Sequence, residues 1–282
     1  MNIRFKQTIF SFFSLIALVG CDKNEIKPLE ELIINGSARI TVINAVPGSP
    51  GLDAFYGDLK LNGNVINSFA RFPSVEYSVL PPATYSIRAV VNTPPPVVPP
   101  PLVPPLPPNI AFGAVVSTTS AAIASDKFYS LFIVGQPVAG SITSFLVEDK
   151  IPQPKTDKAH IRFINAMSDG NNMDLLAGII PTGSANPTTS TAIFSNVARN
   201  IASDFLEIDA AITGTAYQFQ LRNNVTGASI GATSNLIAVS GRVYTYFSRG
   251  FNTAFTIPGF TPVRTIAAII PTTASLSLMT NK

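Results

Sequence analysis

Apolar positions along this chain recur with a period of two far more often than with the 3.6 of a helix. Within residues 39–43, Ile40 and Val42 fall on one face and Arg39 and Thr41 on the other, the alternation of a β-strand. Residues 77–80, 84–91, 128–134, 141–147, 217–222 and 243–247 are further short runs rich in β-branched and aromatic side chains, bounded by Pro-Pro, Asn-Gly, Thr-Gly or Gly-Gln-Pro turn signals. Asn62-Gly63, ahead of a Val-Ile run, reads as a tight hairpin turn because both residues tolerate positive φ. No window carries a capped helical stripe; residues 203–212 come nearest and read equally well as a strand. Short strands spaced roughly 8 to 12 residues apart predict sandwiches or barrels. The expected fold class is all-β, with two tandem immunoglobulin-like β-sandwich domains after a lipoprotein signal peptide. The absence of Trp and of a cysteine pair argues against the antibody-type core, in which a Trp packs on a disulfide.

Two segments depart from the strand pattern. Residues 9–19 are apolar apart from Ser11 and Ser14 and follow Arg4 and Lys6. Such a run is too short to span a bilayer, which takes about 20 apolar residues, but it suits a secretory signal. Leu18, Val19, Gly20 and Cys21 resemble the lipobox of bacterial lipoproteins, in which the thiol receives a diacylglycerol and a peptidase cuts before it. Cys21 is therefore the expected lipidation site, and two acyl chains together would give durable anchoring. Asp22 resembles the inner-membrane retention signal of enteric bacteria, yet acidic residues near the cysteine also accompany surface display. The expected address is the cell envelope, with the outer membrane as the expected membrane. The second departure, residues 94–108, holds ten prolines in fifteen positions. Proline lacks the N–H and fixes φ, so this stretch favours an extended polyproline II conformation. It reads as a long decorated loop in preference to a docking arm.

Self-comparison exposes an internal repeat. Ala38-Arg-Ile-Thr-Val-Ile-Asn-Ala45 is echoed by Ala159-His-Ile-Arg-Phe-Ile-Asn-Ala166, and at the same offset of 121 residues Asp53 is echoed by Asp174. Lys127-Phe-Tyr-Ser-Leu-Phe-Ile-Val-Gly135 matches Arg242-Val-Tyr-Thr-Tyr-Phe-Ser-Arg-Gly250 at an offset of 115. Each copy has the length of an independent domain, not of a solenoid unit. Between them, residues 148–158 carry six charges in eleven positions, in a chain that is 12% charged, which marks a boundary. The expected organisation is a signal peptide (1–20), a lipidated tether (21–36), a first sandwich (37–148, with the insertion at 94–108), a linker (149–158), a second sandwich (159–265) and a C-terminal tail (266–282).

Composition limits the chemistry. Removing residues 1–20 takes away Arg4 and Lys6, leaving 17 basic and 16 acidic side chains and no basic cluster, so nucleic acid is not an expected partner. With Cys21 lipidated no thiol remains, and one His cannot furnish the usual zinc ligand set. His160, which stands where the first copy has Arg39, reads as a solvent-facing strand residue and not a general base. Asn44, Asp53, Asn165 and Asp174 are repeated and read as turn-fixing groups. The 168–172 stretch with Asp169 and Asp174 offers only a weak Ca²⁺ candidate, without EF-hand spacing. No carboxylate pair, phosphate loop or triad emerges, so the expectation is a non-enzyme without cofactor.

The repeated Ala-x-Ile-x-x-Ile-Asn-Ala, the Asp at 53 or 174, and Tyr-x-x-Phe-x-x-Gly at 129–135 and 244–250 resemble the bacterial domain of unknown function 4397, found in tandem in exported proteins. Asn44-Ala-Val-Pro47 with Leu52-Asp53 fits its opening well, whereas Asn165-Ala-Met-Ser168 lacks the proline. The resemblance covers most of residues 37–265. It implies sandwich domains and an envelope location, and supplies no reaction, ligand or catalytic residue. The expected function is a membrane-anchored structural or adhesive envelope lipoprotein whose partners are the membrane, through Cys21, and an envelope protein or glycan. The alternative is a carbohydrate- or peptide-binding surface lipoprotein with Tyr56, Tyr77, Tyr85, Tyr217, Tyr244 and Tyr246 as possible platforms.

Overall fold

The computed structural model describes residues 36–92, 110–210, 216–252 and 274–281. The signal segment, Cys21 and the proline-rich insertion at 94–108 lie outside the described residues. The fold is all-β, with seventeen strands and no helix among the described residues.

The first half forms two sheets. The inner one runs β4 (Arg71–Phe72), β1 (Ala38–Asn44), β8 (Phe128–Gly135), β9 (Ile142–Glu148), and β5 (Ser78–Leu80) also pairs with β1. The outer one runs β3 (Leu59–Lys60), β2 (Leu52–Tyr56), β6 (Ala83–Val91), β7 (Val115–Ile123). The second half repeats this plan. Its inner sheet is β13 (Leu206–Asp209), β10 (Lys158–Asn165), β16 (Val243–Arg249), β17 (Ser275–Thr280), and its outer sheet is β12 (Thr191–Val197), β11 (Met173–Ile180), β14 (Ala216–Asn223), β15 (Ser229–Leu236).

Each inner sheet has a parallel pair at its centre. Ile40 lies opposite Tyr129 and Ile43 opposite Phe132; in the second half Ile161 lies opposite Tyr244 and Ile164 opposite Phe247. Strands that are covered on both faces lose the polar half of the alternation. Ile40, Val42, Leu131 and Ile133 pack against the first outer sheet, and Ile161, Phe163, Tyr244 and Tyr246 against the second. The opposite faces of the two inner sheets meet each other. Ile43, Ala45, Phe132 and Val134 form one buried cluster with Ile164, Ala166, Phe247 and Met279. Phe132 and Phe247, equivalent at the offset of 115, touch edge-on with ring centroids 5.4 Å apart, and Phe145 stacks on Phe132 at 5.2 Å. Aromatic pairs of this kind contribute about 0.5–1.5 kcal/mol beyond their area burial. Contact between equivalent residues is the mark of an isologous arrangement, here within one chain.

Several expectations need correction. The hairpin turn between β2 and β3 falls at Gly57-Asp58, where Gly57 has φ 56°, and not at Asn62-Gly63. Asn62 is instead buried, its side chain accepting from the Ala54 N–H. Residues 275–280, read as tail, are β17, paired along its whole length with β16. Lys158 opens β10, and Asp149, at the start of the charged run, is 2% exposed.

Candidate binding site at the seam

The repeated asparagines act as pins. Asn44 Oδ1 accepts from the Val46 N–H, and its amide donates to Ser49 Oγ and the Ile66 carbonyl; Asn165 likewise accepts from the Met167 N–H and donates to the Val197 carbonyl. The chain returning past each of them is held identically: Phe69 N–H donates to the Asn44 carbonyl and Asn200 N–H to the Asn165 carbonyl, both at 2.7 Å, and both returning residues have positive φ. Phe69 and Asn200 are therefore structural equivalents.

The repeated aspartates are similarly engaged. Asp53 accepts from Lys60 Nζ, Asn62 and Asn92; Asp174 accepts from Arg222 Nε and Nη2, from Asn224 and from the Asn196 N–H. Burial raises both carboxyl pKa values, but these donors outweigh it and hold both below the ordinary carboxylate value. Asp169 accepts from the Asn252 N–H. Among the described residues no three His, Cys, Asp or Glu side chains gather as a metal site, and the donors around Asp174 occupy the positions a cation would need.

An ionic bridge joins the halves. Arg162 Nη2 donates to Asp149 Oδ1, and both side chains are almost wholly buried. Asp149 Oδ2 also accepts from Tyr77 OH at 2.8 Å and Ser130 Oγ at 2.7 Å. Arg162 Nε donates to Thr245 Oγ1, which donates to Asn281 Oδ1, and the Asn281 amide donates back to Tyr77 OH. The Arg162 guanidinium lies 4.8 Å from the Phe205 ring centroid. Burial, reinforced by the Asp149 charge, pushes the Tyr77 hydroxyl far above its ordinary pKa, so it stays a protonated donor.

His160, expected in solvent, is 7% exposed, because its strand face is covered by the seam; its Nε2 lies 3.9 Å from Glu207 Oε2. The tyrosine platforms do not form. Tyr217, Tyr244 and Tyr246 are buried, and burial raises the Tyr246 hydroxyl to about 12. Tyr77 is in the bridge, and half-buried Tyr56 and Tyr85 pack edge-on against each other at 5.3 Å.

Among the described residues, an open cavity of about 250 Å³ lies at the end of the seam. Val134, Gly135, Gln136, Ser141 and Thr143 of the first half form one wall, and Met167, Ser168, Arg199 and Asn200 of the second form the other. Arg199 is exposed and donates a long 3.4 Å bond to the Ser168 carbonyl, and among the described residues no carboxylate lines the cavity. Sequence reading missed this site, since its walls come from three separate segments, at 134–143, 167–168 and 199–200, with no shared motif; only the Asn165 echo points to one of them.

No curated protein matches the chain. Among solved structures, a candidate adhesin from Bacteroides ovatus is 10% identical, over 81% of this chain and 95% of its own, with a TM-score of 0.23. A fimbrial anchor protein from Porphyromonas gingivalis is 11% identical over 77% and 92%, with a TM-score of 0.21. A candidate cell adhesion protein from Bacteroides eggerthii is 11% identical over 88% and 96%, with a TM-score of 0.23. Likenesses with TM-scores this low carry no inference about strand arrangement or activity. Residues 38–176, which contain the whole first sandwich and the opening strands of the second, match the model of the domain of unknown function DUF4397, and this stretch belongs to that family.

Proposed function

We propose that this protein is a lipid-anchored, non-enzymatic module of the cell envelope, tethered through Cys21 and presenting its two joined sandwiches as one stiff body to an envelope protein or glycan. The observation that carries this reading is the seam. Two sandwiches linked by a flexible segment would reorient independently, whereas an apolar cluster and a buried ionic bridge hold them in one geometry. The repeated carboxylates support it as well, since Asp53 and Asp174 are engaged by structural donors and do not converge on an open cleft.

Metabolic labelling with an alkyne analogue of palmitate tests the anchor. Label on the parent chain, its loss in Cys21→Ser, and recovery of the parent in the outer-membrane fraction are expected; an unlabelled parent overturns the anchoring. Cross-linking of intact envelopes tests the presentation, and capture of no protein, glycan or peptidoglycan by a correctly localised chain overturns that part. The second reading, a carbohydrate- or peptide-binding lipoprotein, is favoured by one observation, the seam cavity.

A further inference from the structure

The seam cavity has a counterpart that is filled. Val134 corresponds to Arg249 at the offset of 115, and Asn200 corresponds to Phe69 through their shared backbone bonds. At the counterpart position the Arg249 guanidinium crosses the seam and lies 4.1 Å from the Phe69 ring centroid. Val134 and Asn200 are too short to do the same, so the cavity is the space that a long cation on a ring closes on the other side.

Its walls are chemically unfinished. Ser168 is 4% exposed and its Oγ has no hydrogen-bond partner among the described residues; the buried Oδ1 of Asn200 has none either. Buried polar atoms in native proteins are satisfied in the great majority of cases, so two orphans in one cavity mark a place where something else supplies the partner. The Asn200 backbone is fixed by its bond to Asn165 and that of Ser168 by its bond to the Gly250 carbonyl at 2.9 Å, which presents both side chains on a rigid wall. Among the described residues, the charge at the rim is a single guanidinium without a carboxylate partner. A planar guanidinium with free N–H groups pairs best with a carboxylate.

We propose that this cavity binds a small carboxylate-bearing ligand, with Arg199 taking the carboxylate and Ser168 and Asn200 the neighbouring hydroxyl or amide groups. The size of the cavity, about 250 Å³, suits one sugar acid or the terminal residue of a peptide and not a longer chain. The inference deepens the second functional reading and does not depend on lipidation.

The experiment is calorimetric titration of the purified full chain in detergent with D-glucuronate and with N-acetyl-alanine, each beside its uncharged analogue, glucose or N-acetyl-alaninamide. Binding of one acid and not its analogue is expected, and which acid binds identifies the source as saccharide or peptide. Arg199→Ala, at an exposed position, weakens that binding by about tenfold or more. Thr143→Trp keeps the charge but fills the cavity, and abolishes binding with an unchanged melting temperature. Binding of neither acid, or equal binding of acid and analogue, overturns the proposal. So does full binding by Thr143→Trp, because the anion would then be held on the surface only. Palmitate labelling of the same preparation reads the anchor separately, so the two failures cannot be confused.

Discussion

Replacing Asp149 by Asn is the sharpest test of the seam. The substitution keeps the shape of the side chain, but it leaves the Arg162 guanidinium 2% exposed with no counter-charge, and it turns an amide N–H₂ toward groups that donate to Asp149, namely Arg162, Tyr77 and Ser130. Removing one member of a buried ion pair costs about 3–5 kcal/mol, most of it the penalty of the charge left behind. For a unit of this size each kcal/mol moves the melting temperature by about 2–4 °C, so a fall of about 6–20 °C is expected. The paired replacement Asp149→Leu with Arg162→Met removes both charges. Thr245 keeps its acceptor in Asn281, but the Tyr77 O–H and the Ser130 O–H both lose the Asp149 acceptor, at a cost of about 1–3 kcal/mol each. Apolar replacement of a whole buried pair ranges from neutral to stabilising by about 1–4 kcal/mol, which offsets part of that loss, so the double variant is expected modestly below the parent and above Asp149→Leu alone. Calorimetry with far-UV circular dichroism measures this; tyrosine is the emitting fluorophore, since there is no Trp. The parent is expected to unfold in one transition, and Asp149→Asn in two as the sandwiches uncouple. A melting temperature within 2 °C of the parent for Asp149→Asn, or a double variant worse than both singles, refutes the reasoning.

Three further predictions concern the pins. Asp174 has its pKa lowered from 3.8, so its contribution is fully present above that value and is lost as pH falls through the lower folded value; the stability gap between the parent and Asp174→Asn is expected to close as the pH falls below 3.8, and a constant gap counts against the assigned partners. Asn165→Ala strands the Met167 N–H and the Val197 carbonyl, at about 1–3 kcal/mol each, which urea unfolding resolves; a loss under about 1 kcal/mol rejects the pinning role. Gly135 has φ 118°, and a Cβ there would collide with the Ser141 carbonyl, so Gly135→Ala is expected to lose about 2–4 kcal/mol and to deform the cavity wall; a melting temperature like the parent's excludes that strain.

The all-β class and the repeat were legible because both rest on local signals, namely alternation, turn residues and identities at fixed offsets. The runs at 84–91, 128–134 and 243–247 overlap β6, β8 and β16. Where the reading stopped is equally physical. Alternation separates two faces but does not say what covers each one, so it places His160 in water although the residue is 7% exposed. A charged run ordinarily marks a solvated boundary, yet Asp149 faces a cation thirteen residues along the chain, across a contact that no periodicity encodes. β17 escaped notice because residues 250–274 separate it from β16, whereas in the first half β9 follows β8 after six residues. The usable signal for the bridge lies in the repeat itself: Arg162 stands where the first copy has Thr41, between positions that are apolar in both copies, Ile40 and Val42 in the first and Ile161 and Phe163 in the second.

That substitution pattern explains why the two copies pair with each other. The Asp149 N–H donates to the Phe128 carbonyl and the Asn281 N–H to the Val243 carbonyl, so Asp149 and Asn281 are equivalent, as are Thr41 and Arg162 and, on the next strand, Ser130 and Thr245. In the seam as it exists the cation of one copy meets the anion of the other. A first copy paired with another first copy would bring two Asp149 carboxylates opposite two Thr41 hydroxyls, and two second copies would bring two Arg162 guanidiniums opposite two Asn281 amides. Each homotypic pair buries charges without compensation, which costs several kcal/mol per ion. The centre of the apolar seam does not discriminate, because Ile43 and Ile164, Ala45 and Ala166, and Phe132 and Phe247 are identical across the copies, whereas Val134 and Arg249 at its end differ. Affinity and specificity therefore reside in different residues: the shared apolar positions drive association, and four exchanged polar positions direct it within the chain instead of between chains. Restoring symmetry with Arg162→Thr and Asp149→Asn together is thus expected to leave a folded protein that self-associates, and sedimentation equilibrium finding it monomeric at every concentration would contradict this division of roles.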